Sequence, residues 1–420
     1  MSDRPPMAGS SPRRPARPVT WLTPLVQLGA FVIILGIPDG VFGVLWPSMR
    51  AAFRLPLDYL GLLTLASAAF YFSGGLIANQ ARVRLGAGNA MVASCGVALL
   101  GLGVWSGAPS WLLALVGVGV LGLSRGVIDA LVNAEAALDG GVRRLGILHG
   151  SWAVGGTLGP LLVAAVLVWA HNWRVAVIVV AVAVLLLGPF ALADRRVGRI
   201  EPPATRPVAQ AGVGGGQFAN GPDVSVGRSR RASRGRWHLA LMIATFVAYT
   251  AAESGPIAWG YTYLISDRQA SHTLAAIAMA SFWAALTVGR FGLAVMDRRV
   301  AGTSILEASC LLMIAGTGLF WILPGSWAIA GLPIAGLGAA AVFPMLVALV
   351  PARMGEAATG RAVGASIAAA SLAGPAAVAL FGVLAAHLGL GVLGVCLFLS
   401  CVVLYALNRV LTLASAEGAT

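Results

Sequence analysis

The chain is 420 residues long, 58% hydrophobic and only 10% charged, whereas soluble domains carry about a quarter charged residues. That balance excludes a soluble globular domain, and the clustering of apolar residues into long runs excludes a β-barrel, whose short segments alternate in polarity. All 28 basic residues are arginine and the net charge is +13; gathered in short loops, these charges read as topology and headgroup contacts rather than a nucleic-acid footprint.

Residues 1–20, rich in Pro, Ser and Arg, are expected to form a disordered cytoplasmic tail and not a cleaved signal. Six apolar spans follow at 21–46, 58–79, 88–107, 111–135, 146–170 and 173–193, giving an N-terminal six-helix bundle over 21–193. Residues 194–237 are too polar to pack and are expected to be a flexible cytoplasmic linker. Its RSRRASRGR end (228–236) is placed on anionic headgroups. Spans 7 to 12, at 238–266, 272–296, 302–323, 326–349, 361–387 and 390–412, form a C-terminal bundle over 238–412, with a short C-tail at 413–420. The predicted class is an all-α polytopic membrane protein of twelve transmembrane helices in two pseudo-symmetric six-helix bundles. Cys95, Cys310, Cys396 and Cys401 all fall inside spans without metal-ligand spacing and read as small core residues.

Arginine placement predicts the orientation. With both termini cytoplasmic, 23 arginines, Arg290 among them, fall on the cytoplasmic side and 4 on the other (Arg50, Arg54, Arg174, Arg268). Arg125 stays in the membrane. The halves read as copies of one unit: Asp39 and Glu253, Gly75 and Gly289, and Gly122 and Gly336 are each 214 residues apart, and Gly159 and Gly374 are 215 apart. Parallel six-span halves are an architecture of secondary transporters, with the site at the interface between halves.

The polar residues inside the spans are the candidates for function. LGLSRGVIDALVN (121–133) spaces Arg125, Asp129 and Asn133 four apart, on one face of span 4. Charges in hydrocarbon are costly and mark transport pathways, the alternative here being a structural pair that locks two helices. Asp129 is the candidate proton carrier. Burial disfavours an ionised carboxylate and a guanidinium favours it, so a change of partner loads or unloads a proton. Arg125, permanently charged, can partner an acid along its own helix or reach across to Asp39. Glu253 lies in YTAAESGPIAW (249–259) with Tyr249, and Gly255-Pro256 is expected to break or kink span 7 beside it. Asn133 and His149 are candidates for an inner gate or polar ligand contact. Trp152 and Trp283 are candidates for stacking on a sugar ring, while Trp46 and Trp259 read as interface anchors.

Three stretches, GIPDGVFGVLWPS (36–48), GVIDALVN (126–133) and LHGSWAVGGTLGP (148–160), resemble the major facilitator superfamily, over residues 20–412. Within it the chain is most similar to fucose-permease-like sugar/proton symporters. The resemblance implies inward- and outward-facing states, a cavity lined by spans 1, 4, 7 and 10, and a span-four acid, here Asp129, carrying the coupled proton. Arg125 resembles the span-four arginine of drug/proton antiporters, and GGTLGP (155–160) partly resembles their span-five motif. ARVRLG (81–86) and MDRR (296–299) resemble the superfamily's cytoplasmic gating loop. In GLGAAAVFP (336–344), the counterpart of the span-four stretch, Phe343 stands where Asp129 would be. Coupling charges are therefore expected in the N-terminal half, with Glu253 and an apolar wall in the other.

No phosphate loop, metal cluster or nucleophile–base pair is present in the sequence, so neither an enzyme nor a cofactor is expected. The expected function is secondary active transport of a small polar solute, a sugar or sugar-like compound, with a proton, by a monomer in the bacterial cytoplasmic membrane. A drug or metabolite/proton antiporter and a non-transporting receptor or scaffold are the alternatives.

Overall fold

The computed structural model describes residues 22–139, 141–192, 225–295 and 301–416, and all regular structure among them is helical. The helices are α1 (Leu22–Phe53), α2 (Tyr59–Leu85), α3 (Ala87–Gly107), α4 (Trp111–Asp139), α5 (Gly141–Ala170), α6 (Trp173–Leu192), α7 (Ser225–Ser266), α8 (His272–Val295), α9 (Gly302–Ile322), α10 (Gly331–Ala348), α11 (Val350–Met354), α12 (Glu356–Leu388) and α13 (Val392–Ala416). The one-turn α11 separates spans 10 and 11, so α12 and α13 are spans 11 and 12. Among the described residues eleven helices are long and apolar enough to cross a membrane, and Trp173–Leu187 of α6 is a shorter apolar stretch. The predicted N-tail, the linker as far as residue 224, the MDRR loop and the last residues of the C-tail lie outside the described residues.

Two local expectations are corrected. The end of the predicted linker, 225–237, is the start of α7. Extending a helix that is already packed adds one hydrogen bond per residue fixed, without a new nucleation cost. Of the two outcomes expected at Gly255-Pro256 the break does not occur: α7 runs through Pro256 as one helix. Proline removes only one backbone bond, and Gly255 lets Leu397 and Phe381 pack close against the helix at that point.

The duplication seen in sequence recurs in the packing. Helix α1 packs on α5 as α7 packs on α12; α2 packs on α4 as α8 packs on α10; α3 packs on α4 and α6 as α9 packs on α10 and α13. Between the halves α5 meets α8, and its counterpart α12 meets α2. Small residues permit these approaches. At Gly126 of α4 a Cβ would strike the Tyr71 carbonyl oxygen of α2. Gly126→Val is expected to lower stability by about 3 kcal/mol, the upper end for overpacking, because the obstacle is backbone that no rotamer change can clear. Thermal unfolding in detergent checks this; an unchanged midpoint would mean the helices do not pack this closely.

Near the 54–58 turn the halves touch: Gly43 of α1 backs onto Ile257 and Ala258, Gly61 of α2 onto Ala379, and Gly382 of α12 onto Asp58 and Trp259. Toward the opposite ends of α2 and α12 the same helices face open space at Gly75, Gly360 and Gly364.

The tryptophans divide differently from expectation. Trp46 and Trp259 are fully buried, one against Trp111 with centroids 6.1 Å apart, the other donating its Nε1–H to the Val378 carbonyl at 3.0 Å. Position along a span does not say which way a ring faces. Among the described residues the rings that face outward are Trp169, 81% exposed at the end of α5, Trp237, 61% exposed in α7, and Trp327, 75% exposed in the 3₁₀ turn Gly325–Ala330. The four cysteines are free, each buried or half-buried.

Candidate functional site: a charge network between the halves

Close approach of α1 and α5 sets the first part of the site. Gly36 and Gly40, a turn or less from Asp39, lie against backbone of Trp152 and Gly156, which brings the Asp39 carboxylate to the α5 surface. Trp152 Nε1 donates to Asp39 Oδ2 at 2.7 Å. The other oxygen, Oδ1, accepts from Arg125 Nη2 of α4. Of the two partners open to Arg125, the structure therefore selects the one across the bundle.

Asp129, one turn further along α4, is held by donors without full charge. Tyr71 of α2 donates its hydroxyl to Oδ2 at 2.6 Å, and Asn133 donates Nδ2 to Oδ1 at 3.0 Å. The α2–α4 contact at Gly126 is what delivers Tyr71 to this position. Arg125 also sits over the Tyr71 ring, 5.9 Å from its centroid, joining Asp129 to the Asp39 pair.

The C-terminal half contributes a second ion pair. Arg290 of α8 lies with Nη2 3.6 Å from Glu253 Oε1 of α7, the arginine buried and the glutamate half-buried. The same guanidinium stacks over the Trp152 ring of the other half, 5.0 Å from its centroid. Trp283 meets Trp152 edge-on at 5.0 Å and is itself fully buried, filling the α5–α8 seam. One turn along, the hydroxyls of Thr157 and Thr287 are 3.4 Å apart across the seam. Tyr249, a turn before Glu253, lies 3.5 Å from the Ala339 carbonyl and 6.1 Å from the Phe343 ring.

Of the predicted site residues, Asp39, Arg125, Asp129, Asn133 and Trp152 come together in one network, and Glu253 joins it through Arg290. Tyr249 borders Glu253. Trp283 belongs to the seam packing. The His149 side chain lies outside the described residues. Arg290 corrects two expectations, since it is a buried network residue and not a topology charge, and the C-terminal half has an ion pair of its own. The signal was available: Arg290 stands more than a turn inside the predicted 272–296 span, as Arg125 stands inside span 4. Tyr71 carried no such signal, because nothing in its own span links it to an acid 58 residues away.

Tyr71→Phe removes one donor to a carboxylate and keeps the ring beneath Arg125. Transport measured under an imposed pH gradient is expected to fall about tenfold, the scale of one hydrogen bond to a charged group, with solute exchange retained. Rates measured with and without a pH gradient separate the two, and equal loss in both would assign Tyr71 a packing role alone.

A polytopic helical protein whose two halves meet over a buried charge network is built as a secondary membrane carrier. The chain matches the Major Facilitator Superfamily over residues 28–379 and belongs to it. Among individual proteins, it is 23% identical over 307 residues to Bypass of stop codon protein 6 of Saccharomyces cerevisiae, a match covering 67% of this chain and 60% of that protein. The chain thus spans less than two thirds of that relative. The Escherichia coli fucose:proton symporter FucP superposes with a TM-score of 0.57 at 16% identity, covering 93% of this chain and 99% of that one. The human organic anion transporter MFSD10 superposes with a TM-score of 0.59 at 18% identity, covering 93% and 98%. Both likenesses establish the fold.

Proposed function

We propose that this carrier moves a small neutral polar solute, a sugar or sugar-like compound, together with a proton by alternating access. The observation that carries this reading is the charge count of the network. Among the described residues it holds three carboxyls, Asp39, Asp129 and Glu253, against two guanidiniums, Arg125 and Arg290. Asp39 and Glu253 each face an arginine, while Asp129 has a phenol and an amide. One proton on Asp129 makes the network neutral, which a low-dielectric seam favours. A neutral solute preserves that balance. An anionic one would add a charge that the two guanidiniums of the network, each already facing a carboxylate, do not offset, which weighs toward the kind of solute named for the fucose:proton symporter and away from organic anions.

The arginine distribution supports placing both termini on the cytoplasmic side of the membrane, and it survives moving Arg290 into the network. In that orientation the contacts near the 54–58 turn lie on the outer side.

The test is counterflow and uptake in proteoliposomes with labelled neutral monosaccharides and polyols, their acid derivatives and cationic dyes. Accumulation of a neutral compound under an outside-acid gradient, collapsed by a protonophore, is the expected result. Uptake confined to acids would overturn the solute class. A second reading, cation/proton antiport, draws on the same uncompensated carboxylate, since a cationic solute can replace the proton on Asp129; dye export driven by the gradient would select it.

A further inference from the structure

We propose that Trp152 is a positioning residue that ties the charge state of Asp39, in the N-terminal half, to closure of the α5–α8 seam. The inference rests on the two halves moving against each other, and extends that reading by naming the side chain through which one half senses the other.

The indole makes two contacts that are chemically separable. Its only hydrogen-bond donor, Nε1–H, goes to Asp39 Oδ2 at 2.7 Å within the N-terminal half. Its π face carries the Arg290 guanidinium of the other half at 5.0 Å, and its ring meets Trp283 edge-on at 5.0 Å and 73°. Cation–π attraction requires that the face, not the edge, be presented to the cation. The hydrogen bond to Asp39 is what fixes the ring plane. The ring cannot slide to compensate, because Trp283 lies against bare backbone at Gly156, where a Cβ would come within 2.6 Å of its Cζ3.

Other charged groups around Asp39 are few among the described residues. Arg125 of α4 holds the second carboxylate oxygen, with Tyr71 of α2 and Asp129 of α4 behind that guanidinium, and Arg290 of α8, paired with Glu253 of α7, reaches it through Trp152. When Asp39 is neutralised, the indole's charge-assisted hydrogen bond weakens to a neutral one and orients the ring less firmly. The platform under Arg290 turns and the seam loosens.

The seam can be read without a solute. In a background with Cys95, Cys310, Cys396 and Cys401 replaced by alanine, Thr157→Cys and Thr287→Cys place two thiols where the hydroxyls are 3.4 Å apart. The rate of copper-catalysed disulfide formation in nanodiscs is measured with and without Asp39→Asn, in both the parent and Trp152→Phe, which keeps a ring and removes the N–H. Asp39→Asn should slow the cross-link about fivefold in the parent, the scale of the difference between a charged and a neutral hydrogen bond, and leave it within about twofold in Trp152→Phe. Equal slowing in both backgrounds, or none in the parent, overturns the proposal and leaves Trp152 as packing. Asp39→Ser replaces Asp39→Asn should the latter not be monodisperse. Because the readout is the seam, its failure leaves the transport reading to be judged by the uptake experiment.

Discussion

Asp129→Asn is expected to leave a carrier that exchanges solute across the membrane but no longer accumulates it. The amide keeps the shape of the carboxyl and still accepts from Tyr71, whose hydroxyl lies 2.6 Å from Oδ2 in the wild type. What it cannot do is release a proton. The network then holds two carboxylates and two guanidiniums in every state, the neutral balance that in the wild type exists only with the proton bound. One pH unit is worth about 1.4 kcal/mol, so one-for-one coupling supports roughly a tenfold solute ratio per unit of gradient. In the variant that ratio should return to one while counterflow persists. The pair of measurements is accumulation under an imposed gradient and counterflow without one, on the same vesicles. If accumulation survives, the coupled proton is carried elsewhere, and Glu253, the other half-buried acid of the seam, is the next position to neutralise.

How much of this was legible from residues alone depends on which physical signal each feature left. The spans were, because about 20 apolar residues are what a bilayer requires; so were the duplication, through the constant offset from Asp39 to Glu253, and the shared face of Arg125, Asp129 and Asn133, through helical period. A period, however, places side chains on a face and does not say which helix that face meets. Arg125 was thus open between two acids until packing placed α1 against it. Trp46 and Trp259 were misjudged for the same reason. An amphipathic ring near a span end suits an interface, but both lie on faces turned into the bundle. Arg290 lies within span 8 as Arg125 lies within span 4, so its depth in the span distinguishes it from the loop arginines. The link from Trp152 to Arg290 joins different halves and left no trace in local sequence.

Arg125→Gln should be among the most damaging single substitutions in the N-terminal half, and Asp39→Asn should repair much of the damage. Removing one member of a buried ion pair leaves a charge with insufficient compensation and costs about 3–5 kcal/mol. Here the lower end applies, about 3 kcal/mol, since the Asp39 side chain keeps 24% of its surface exposed and retains Trp152 as a donor. In the double variant Asp39→Asn/Arg125→Gln neither group is charged, and neutral partners of similar shape can be nearly as stable as the ion pair. The two single losses should therefore not add. Thermal unfolding of the four proteins in one detergent gives the cycle, and a double variant as damaged as the sum of the singles would show that Arg125 acts independently of Asp39. Transport need not recover with stability. The repaired protein lacks the carboxylate that orients Trp152, so a stable double variant with a loosened α5–α8 seam would separate the pair's part in holding the fold from its part in moving it.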